Sequence, residues 1–140
     1  MKKVLVAGSF DGFHVGHQFF IQQGIDLSGS LVVVVARDKT IERIKGRLPR
    51  NRESQRLDHI CSIYTGITSM NPRLGRSDGS VIDLLKEESP DILLLGYDQD
   101  FKVSFFKSHF PDLKIYRAKA YNPHIFKSSK WNSDGLFYNS

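Results

Sequence analysis

The stretch VAGSFDGFHVGHQFF, Val6 to Phe20, decides how the chain is read. An apolar run, Val4 to Ala7, meets the small residues Gly8 and Ser9. Two histidines then follow as His14-x-Gly16-His17, at the head of a segment that reads as a helix. A strand, a glycine-eased turn and a helix N-terminus in this order place free backbone N–H groups and the positive end of a helix dipole at one point, which favours an anion. Histidines three residues apart share a helix face, so His14 and His17 both point toward that spot. The glycines Gly8, Gly12 and Gly16 fit neither the dinucleotide fingerprint G-x-G-x-x-G nor the phosphate loop that ends in Gly-Lys-Ser/Thr.

The rest of the chain extends the same architecture. Apolar runs at Lys3 to Ala7, Leu31 to Ala36, Ile92 to Leu95 and Leu113 to Tyr116 do not alternate with polar residues, which suits strands covered on both faces. A weaker strand falls at Ser69 to Leu74, where Pro72 restricts it to an edge or a bulge. Helical periods occupy His14 to Leu27, Arg52 to Thr65 and Ser80 to Glu88. The second carries Leu57, Ile60, Cys61 and Tyr64 as a core-facing stripe, and the third opens on Ser80 and Asp83 in capping positions. This pattern predicts an α/β fold, a single doubly wound Rossmann-like domain with a parallel sheet, whose ligands sit beyond the carboxyl ends of the strands. The segments to inspect are therefore Ala7 to His17, Arg37 to Arg47 and Gly96 to Phe101.

At 140 residues the chain is one domain by size. The reading is a domain over residues 1–130 and a loose C-terminal tail over 131–140. The lone Cys61 leaves no partner for an intramolecular disulfide, and MKKVLVAGSF shows no leader pattern, so the expected setting is reducing and cytoplasmic. No apolar run approaches the ~20 residues of a membrane span. The formal charge of +5 is concentrated between Arg37 and Arg56, where eight Lys/Arg stand against Asp38, Glu42 and Glu53. Such an excess is either a solvated face or a field that gathers anions.

Three readings of the histidine pair remain open on the residues alone. As phosphate ligands, two imidazoles donate hydrogen bonds to oxygens that gain charge during phosphoryl transfer. As metal ligands, Asp11, His14 and His17 would act together, although no further cluster of metal spacing supports them. As structural residues, they would only cap the helix. Gly16 between them, lacking a side chain, would let a ligand approach the backbone.

The segment Ser9-Phe10-Asp11-x-x-His14-x-Gly16-His17 resembles the signature G-[T/S]-F-D-x-x-H-x-G-H of the small cytidylyltransferase-like nucleotidyltransferases. The resemblance runs through about residue 130. LVVVVARD (Leu31 to Asp38), KGRLP (Lys45 to Pro49), LGYDQ (Leu95 to Gln99) and KSSK (Lys127 to Lys130) together look most like the archaeal-type FAD synthetases. The resemblance implies transfer of AMP from ATP to FMN with release of pyrophosphate. Ser9 and Phe10 would contact the nucleotide, with Gly16 and Gly96 beside it. His14 and His17 would hold its phosphates at the transition state. Lys45 and Arg47 would lie over the pyrophosphate, Arg56 would join Arg47 on phosphate or acceptor, Asp98 would read the nucleoside, and Ser128 and Ser129 would donate to phosphates.

Each has a plainer alternative. Asp98 can shape an Asx-turn, Ser128 and Ser129 can cap a helix, and Lys45 can be solvated. A basic residue expected before the serines is displaced by Pro123, His124 and Ile125, with Arg117, Lys119 and Lys127 as stand-ins. Mg²⁺ is expected on the nucleotide phosphates rather than in a protein metal site, and no tightly bound organic cofactor is expected. Cys61, on its helix stripe, is read as core. The family implies a homodimer. The competing activities are a CTP-dependent enzyme such as glycerol-3-phosphate cytidylyltransferase, against which Tyr97 before Asp98 argues, and an RNA-binding module, for which no aromatic-basic motif appears.

Overall fold

The computed structural model describes residues 2–121 and 137–139. Six strands, β1 (Lys3–Gly8), β2 (Ser30–Val35), β3 (Met70–Leu74), β4 (Ile92–Leu95), β5 (Lys114–Ala118) and β6 (Phe137–Asn139), form one sheet in the order β3-β2-β1-β4-β5-β6. The first five are parallel, and β6 runs antiparallel to β5. Between them lie α1 (Val15–Leu27), α2 (Asp38–Lys45), α3 (Glu53–Ile63), α4 (Val81–Glu88) and α5 (Val103–His109).

The unbroken apolar strands have the double cover that their composition demands. Val4, Val6, Leu31, Val33, Val35, Ile92 and Leu94 face one side, against Ile21 of α1 and Ile60 of α3. Their strand neighbours Leu5, Val32, Val34, Leu93 and Leu95 face the other, against Leu84 and Leu85 of α4 and with Val103 and Phe106 of α5. Each successive residue thus feeds an opposite core, the consequence of a two-residue side-chain period in a sheet buried on both faces. At ~1.5–3 kcal/mol for each fully buried aliphatic side chain, these two layers dominate the stability. Pro72 sits in β3, opposite Val33 and at the sheet edge, where its missing N–H costs no ladder bond.

Three expectations change. Residues 38–45 and 103–109 are helical, although neither segment announced it: both helices are short, their N-caps Arg37 and Lys102 make no side-chain cap bond, and α2 buries only Ile41 while α5 buries nothing fully. Phe137–Asn139, read as loose tail, pairs with Ala118–Tyr116 as β6, a strand too short to show a period. Cys61 is exposed rather than core, since α3 turns Arg56 and Ile60 inward instead. No helix among the described residues is long and apolar enough to cross a membrane.

Candidate active site

The carboxyl end of β1 leads into the histidine helix. His14 is the N-cap of α1, in extended conformation, and its Nδ1 accepts a hydrogen bond from the Gly16 N–H at 3.1 Å. His17, at the third helical position, returns the favour: its Nδ1 accepts from the His14 N–H at 3.2 Å. The result is a capping box built from two imidazoles in place of the usual Ser/Thr and Glu/Gln. Because both Nδ1 atoms are acceptors, the neutral rings carry their protons on Nε2. Capping and phosphate binding are therefore compatible roles, the first using Nδ1 and the second Nε2–H.

The two rings stack with centroids 3.8 Å apart and planes 19° from parallel. Behind them, Phe10 meets His17 edge-on at 5.6 Å and Phe13 lies against it at 5.6 Å. Burial against this aromatic wall, reinforced by the neighbouring His14, lowers the His17 pKa to about 4. The charges of Asp11 and Asp98 oppose that shift and Lys45 adds to it, so all three lie within electrostatic reach of His17.

Phe10 holds this arrangement at a conformational cost. It has φ 51°, a region non-glycine residues avoid, and its side chain is buried at 3 % exposure. The ring props His17 and Phe20, and a Cβ on Gly8 would touch it at 3.1 Å. Gly16 also serves the pair itself. A Cβ there would fall 2.9 Å from Cε1 and 3.1 Å from Nδ1 of His14, so the missing side chain makes room for the His14 ring.

Next to the histidine loop is a cleft of about 310 Å³ lined by Ser9, Asp11, Ile41, Lys45, Arg47, Leu48, Pro49 and Arg50. The structure thus brings Ser9, Lys45 and Arg47 together. Pro49 of the same KGRLP segment lines the cleft too, and Leu48 and Arg50 join them without having been assigned a role from sequence. Arg56, expected on phosphate, is 2 % exposed and bonded within the protein. Its Nε donates to Asn51 O (2.9 Å), Nη1 to Ser9 O (2.8 Å) and Ala36 O (2.7 Å), and Nη2 to Asp38 Oδ1 (2.7 Å). With these donors satisfied, Arg56 is a strut and not a ligand, a correction that its place on an apparently amphipathic helix could not signal.

Asp11 is likewise committed. Its Oδ2 accepts from Arg50 N (2.7 Å), and its Oδ1 accepts from Asn51 N (2.9 Å) and Nδ2 (3.1 Å). Burial alone would raise its pKa, but these bonds hold it below the usual carboxylate value. No group of three His, Cys, Asp or Glu among the described residues has metal-binding geometry. The metal-ligand reading of Asp11, His14 and His17 gains nothing from this donor set.

At the end of β4, Gly96 is buried and Asp98 is exposed. Gln99 fixes their turn: Oε1 accepts from Gly96 N, and Nε2 donates to Ala7 O at the end of β1. Arg117, a candidate stand-in for the displaced basic residue, instead donates through Nη1 to Gly96 O and Gln99 O. Ser128 and Ser129, with the expected helix that they begin, lie outside the described residues.

A parallel sheet in this order, an imidazole pair at the first crossover and a cationic cleft beside it define an α/β domain of nucleotidyltransferase type. The chain belongs to the cytidylyltransferase-like family, whose model matches residues 5–130. Its relatives include the FAD synthase of Thermococcus sibiricus, 34% identical over 126 residues that span 90% of this chain and 83% of that protein. The FAD synthase of Methanobrevibacter smithii is 35% identical over 129 residues, 87% of this chain and 82% of that one. A crystal structure titled as a lipopolysaccharide core biosynthesis protein from Thermoplasma volcanium superposes with TM-score 0.76 at 34% identity, covering 87% of this chain and 99% of that one. From the same organism, an FAD synthase is 32% identical over 133 residues.

Proposed function

We propose that the protein transfers AMP from ATP to FMN, forming FAD and releasing pyrophosphate. A phosphate oxygen of FMN attacks the α-phosphorus; the bond from that phosphorus to the bridging oxygen of the β-phosphate breaks, and pyrophosphate leaves with the electron pair. The acceptor phosphate is already ionised, so the step needs neither a side-chain nucleophile nor a general base. The observation that carries this reading is the stacked pair His14 and His17, whose Nδ1 atoms are spent on the helix cap so that both Nε2–H groups are available as donors.

Those donors meet the oxygens of the α-phosphate as charge gathers on them in the transition state, which is electrostatic stabilisation by groups already in place. Lys45 and Arg47 on the cleft wall suit the departing pyrophosphate. Asp98 is proposed to read the nucleoside, and Ser9 to contact the nucleotide. Ser128 and Ser129 are assigned to phosphates on the family resemblance. Magnesium enters with the triphosphate as part of the substrate, and its contribution is to neutralise phosphate charge.

FMN as acceptor is supported by the FAD synthases among the relatives, each aligned over most of both chains. The homodimer in this reading is supported by the small chain and the family resemblance, and the cytoplasmic setting by the single cysteine. Incubation with MgATP and FMN, followed by chromatography and pyrophosphate detection, should give the two products in equal amounts. Equal or faster turnover of CTP with glycerol 3-phosphate would replace this reading by the cytidylyltransferase one.

A further inference from the structure

The cleft wall and the histidine loop are joined by a closed circuit of hydrogen bonds that the chemistry above does not use. It starts at the Asp11 carboxylate, which takes the N–H groups of Arg50 and Asn51. It continues from Asn51 O to Arg56 Nε, and from Arg56 Nη1 to Ser9 O, two residues before Asp11. Between Ser9 and Asp11 stands Phe10 with its positive φ, so the circuit also encloses the strained residue that props His17. A second arm, Arg56 to Ala36 O and Asp38, fixes the end of β2 and the start of α2, the helix that ends at Lys45.

We propose that Asp11 and Arg56 are positioning residues that lock the segment from Arg47 to Asn51 against the histidine loop, so that the cationic wall of the cleft is set before nucleotide arrives. Neither residue touches substrate in this assignment. Two charged side chains make most of their hydrogen bonds to main-chain groups from three separate connections, an arrangement that fixes distances between loops. The proposal rests on the nucleotidyl-transfer reading for the identity of the ligand. The loop's own order does not depend on it.

The loop carries trypsin sites at Arg47 and Arg50, which gives a readout without activity. In Asp11→Asn one carboxylate oxygen becomes an NH₂ group facing N–H donors, so cleavage after Arg47 and Arg50 in the nucleotide-free full chain should accelerate on the order of tenfold. Asn51→Ala, which removes only the 3.1 Å side-chain bond, should give a smaller acceleration with an unchanged circular dichroism spectrum. Nucleotide binding must then close the loop, so KM for MgATP should rise by about the same factor while kcat stays within a few-fold, and saturating MgATP should restore slow cleavage. Unchanged cleavage in both variants would overturn the proposal. So would a kcat loss of about a hundredfold at constant KM, which would put Asp11 on the reacting atoms. A shifted Mg²⁺ half-saturation with normal cleavage would do the same by making it a metal ligand. Faster cleavage in a protein that makes no FAD would leave the lock standing and remove the function.

Discussion

Gly16→Ala tests the imidazole pair most sharply, because its expected effects on folding nearly cancel while its expected effect on the proposed chemistry does not. The new Cβ would lie 2.9 Å from Cε1 and 3.1 Å from Nδ1 of His14. Ordinary carbon contacts sit near ~3.5–4.0 Å. The imidazole has to swing away, and its 3.1 Å bond from the Gly16 N–H is lost. Loss of a side-chain cap costs about 1 kcal/mol, while replacing glycine by alanine inside a helix returns roughly 0.5–1 kcal/mol. The two nearly cancel, so the melting temperature should move by no more than a few degrees. The catalytic effect has no such offset. His14 Nε2 leaves its station beside His17, and removal of one preorganised donor typically lowers kcat by about 10²–10³. Steady-state FAD synthesis over a range of MgATP at saturating FMN, alongside a thermal melt, separates the two. A Gly16→Ala protein with kcat within twofold of wild type would refute the argument. A rise in KM alone would instead restore a role for Gly16 in admitting nucleotide.

The His17 pKa, lowered to about 4 by burial and by His14, makes folding sensitive to acid. Above the ordinary value of ~6.5 both folded and unfolded forms are neutral and pH has no effect through this group; between ~6.5 and about 4 only the unfolded chain takes up the proton, so stability falls as pH falls, levelling below about 4. Urea titrations at pH 7, 5.5 and 4.5 should show a shallower acid loss in His17→Asn than in wild type, and parallel losses would count against the assignment. Gln99→Leu should release the turn before α5, since the Gly96 N–H and Ala7 carbonyl each lose a partner at roughly 1–3 kcal/mol when unsatisfied. Nucleotide KM should rise in that variant with a lowered melting temperature, whereas unchanged values of both would show that water replaces the amide.

The parallel sheet was legible because burial on both faces writes itself into unbroken runs such as Leu31 to Val35, and because Pro72 betrays an edge. The juxtaposition of the two histidines was legible for a related reason: His14 and His17 stand on one helix turn, so their spacing fixes their geometry. What escaped were relations between connections far apart in sequence. Arg56 sits among polar neighbours on α3, and its partners are carbonyls at Ser9, Ala36 and Asn51, groups that every residue possesses and no pattern marks. Phe10 escaped in another way. The motif implies that this residue contacts the nucleotide but does not show that its ring, at a position of positive φ, is buried in the core. The short helices α2 and α5 were hidden because neither has a side-chain N-cap bond or a buried stripe.

In the proposed reaction, the cationic cleft gives a reason for the transferred phosphate to be met by uncharged donors. Lys45, Arg47 and Arg50 already supply full positive charges beside the cleft, and in the proposed reaction these attract the triphosphate in its ground state as well as later. Binding shared equally between ground and transition states lowers KM without raising kcat. A hydrogen-bond donor aimed at the α-phosphate oxygens strengthens as charge accumulates there, which is the differential that accelerates the reaction. Two imidazolium charges 3.8 Å apart would instead repel one another by about 4 kcal/mol at an effective dielectric near 20. The stack therefore disfavours simultaneous protonation of both rings, and the Phe10 and Phe13 wall keeps water from relieving it on the His17 side. Close stacking and the depressed pKa favour a neutral His17, and the double Nδ1 cap leaves Nε2–H as the donor. The hydrogen bonds that start the helix are the same ones that hold the protons on the nitrogens assigned to the phosphate in the proposed reaction.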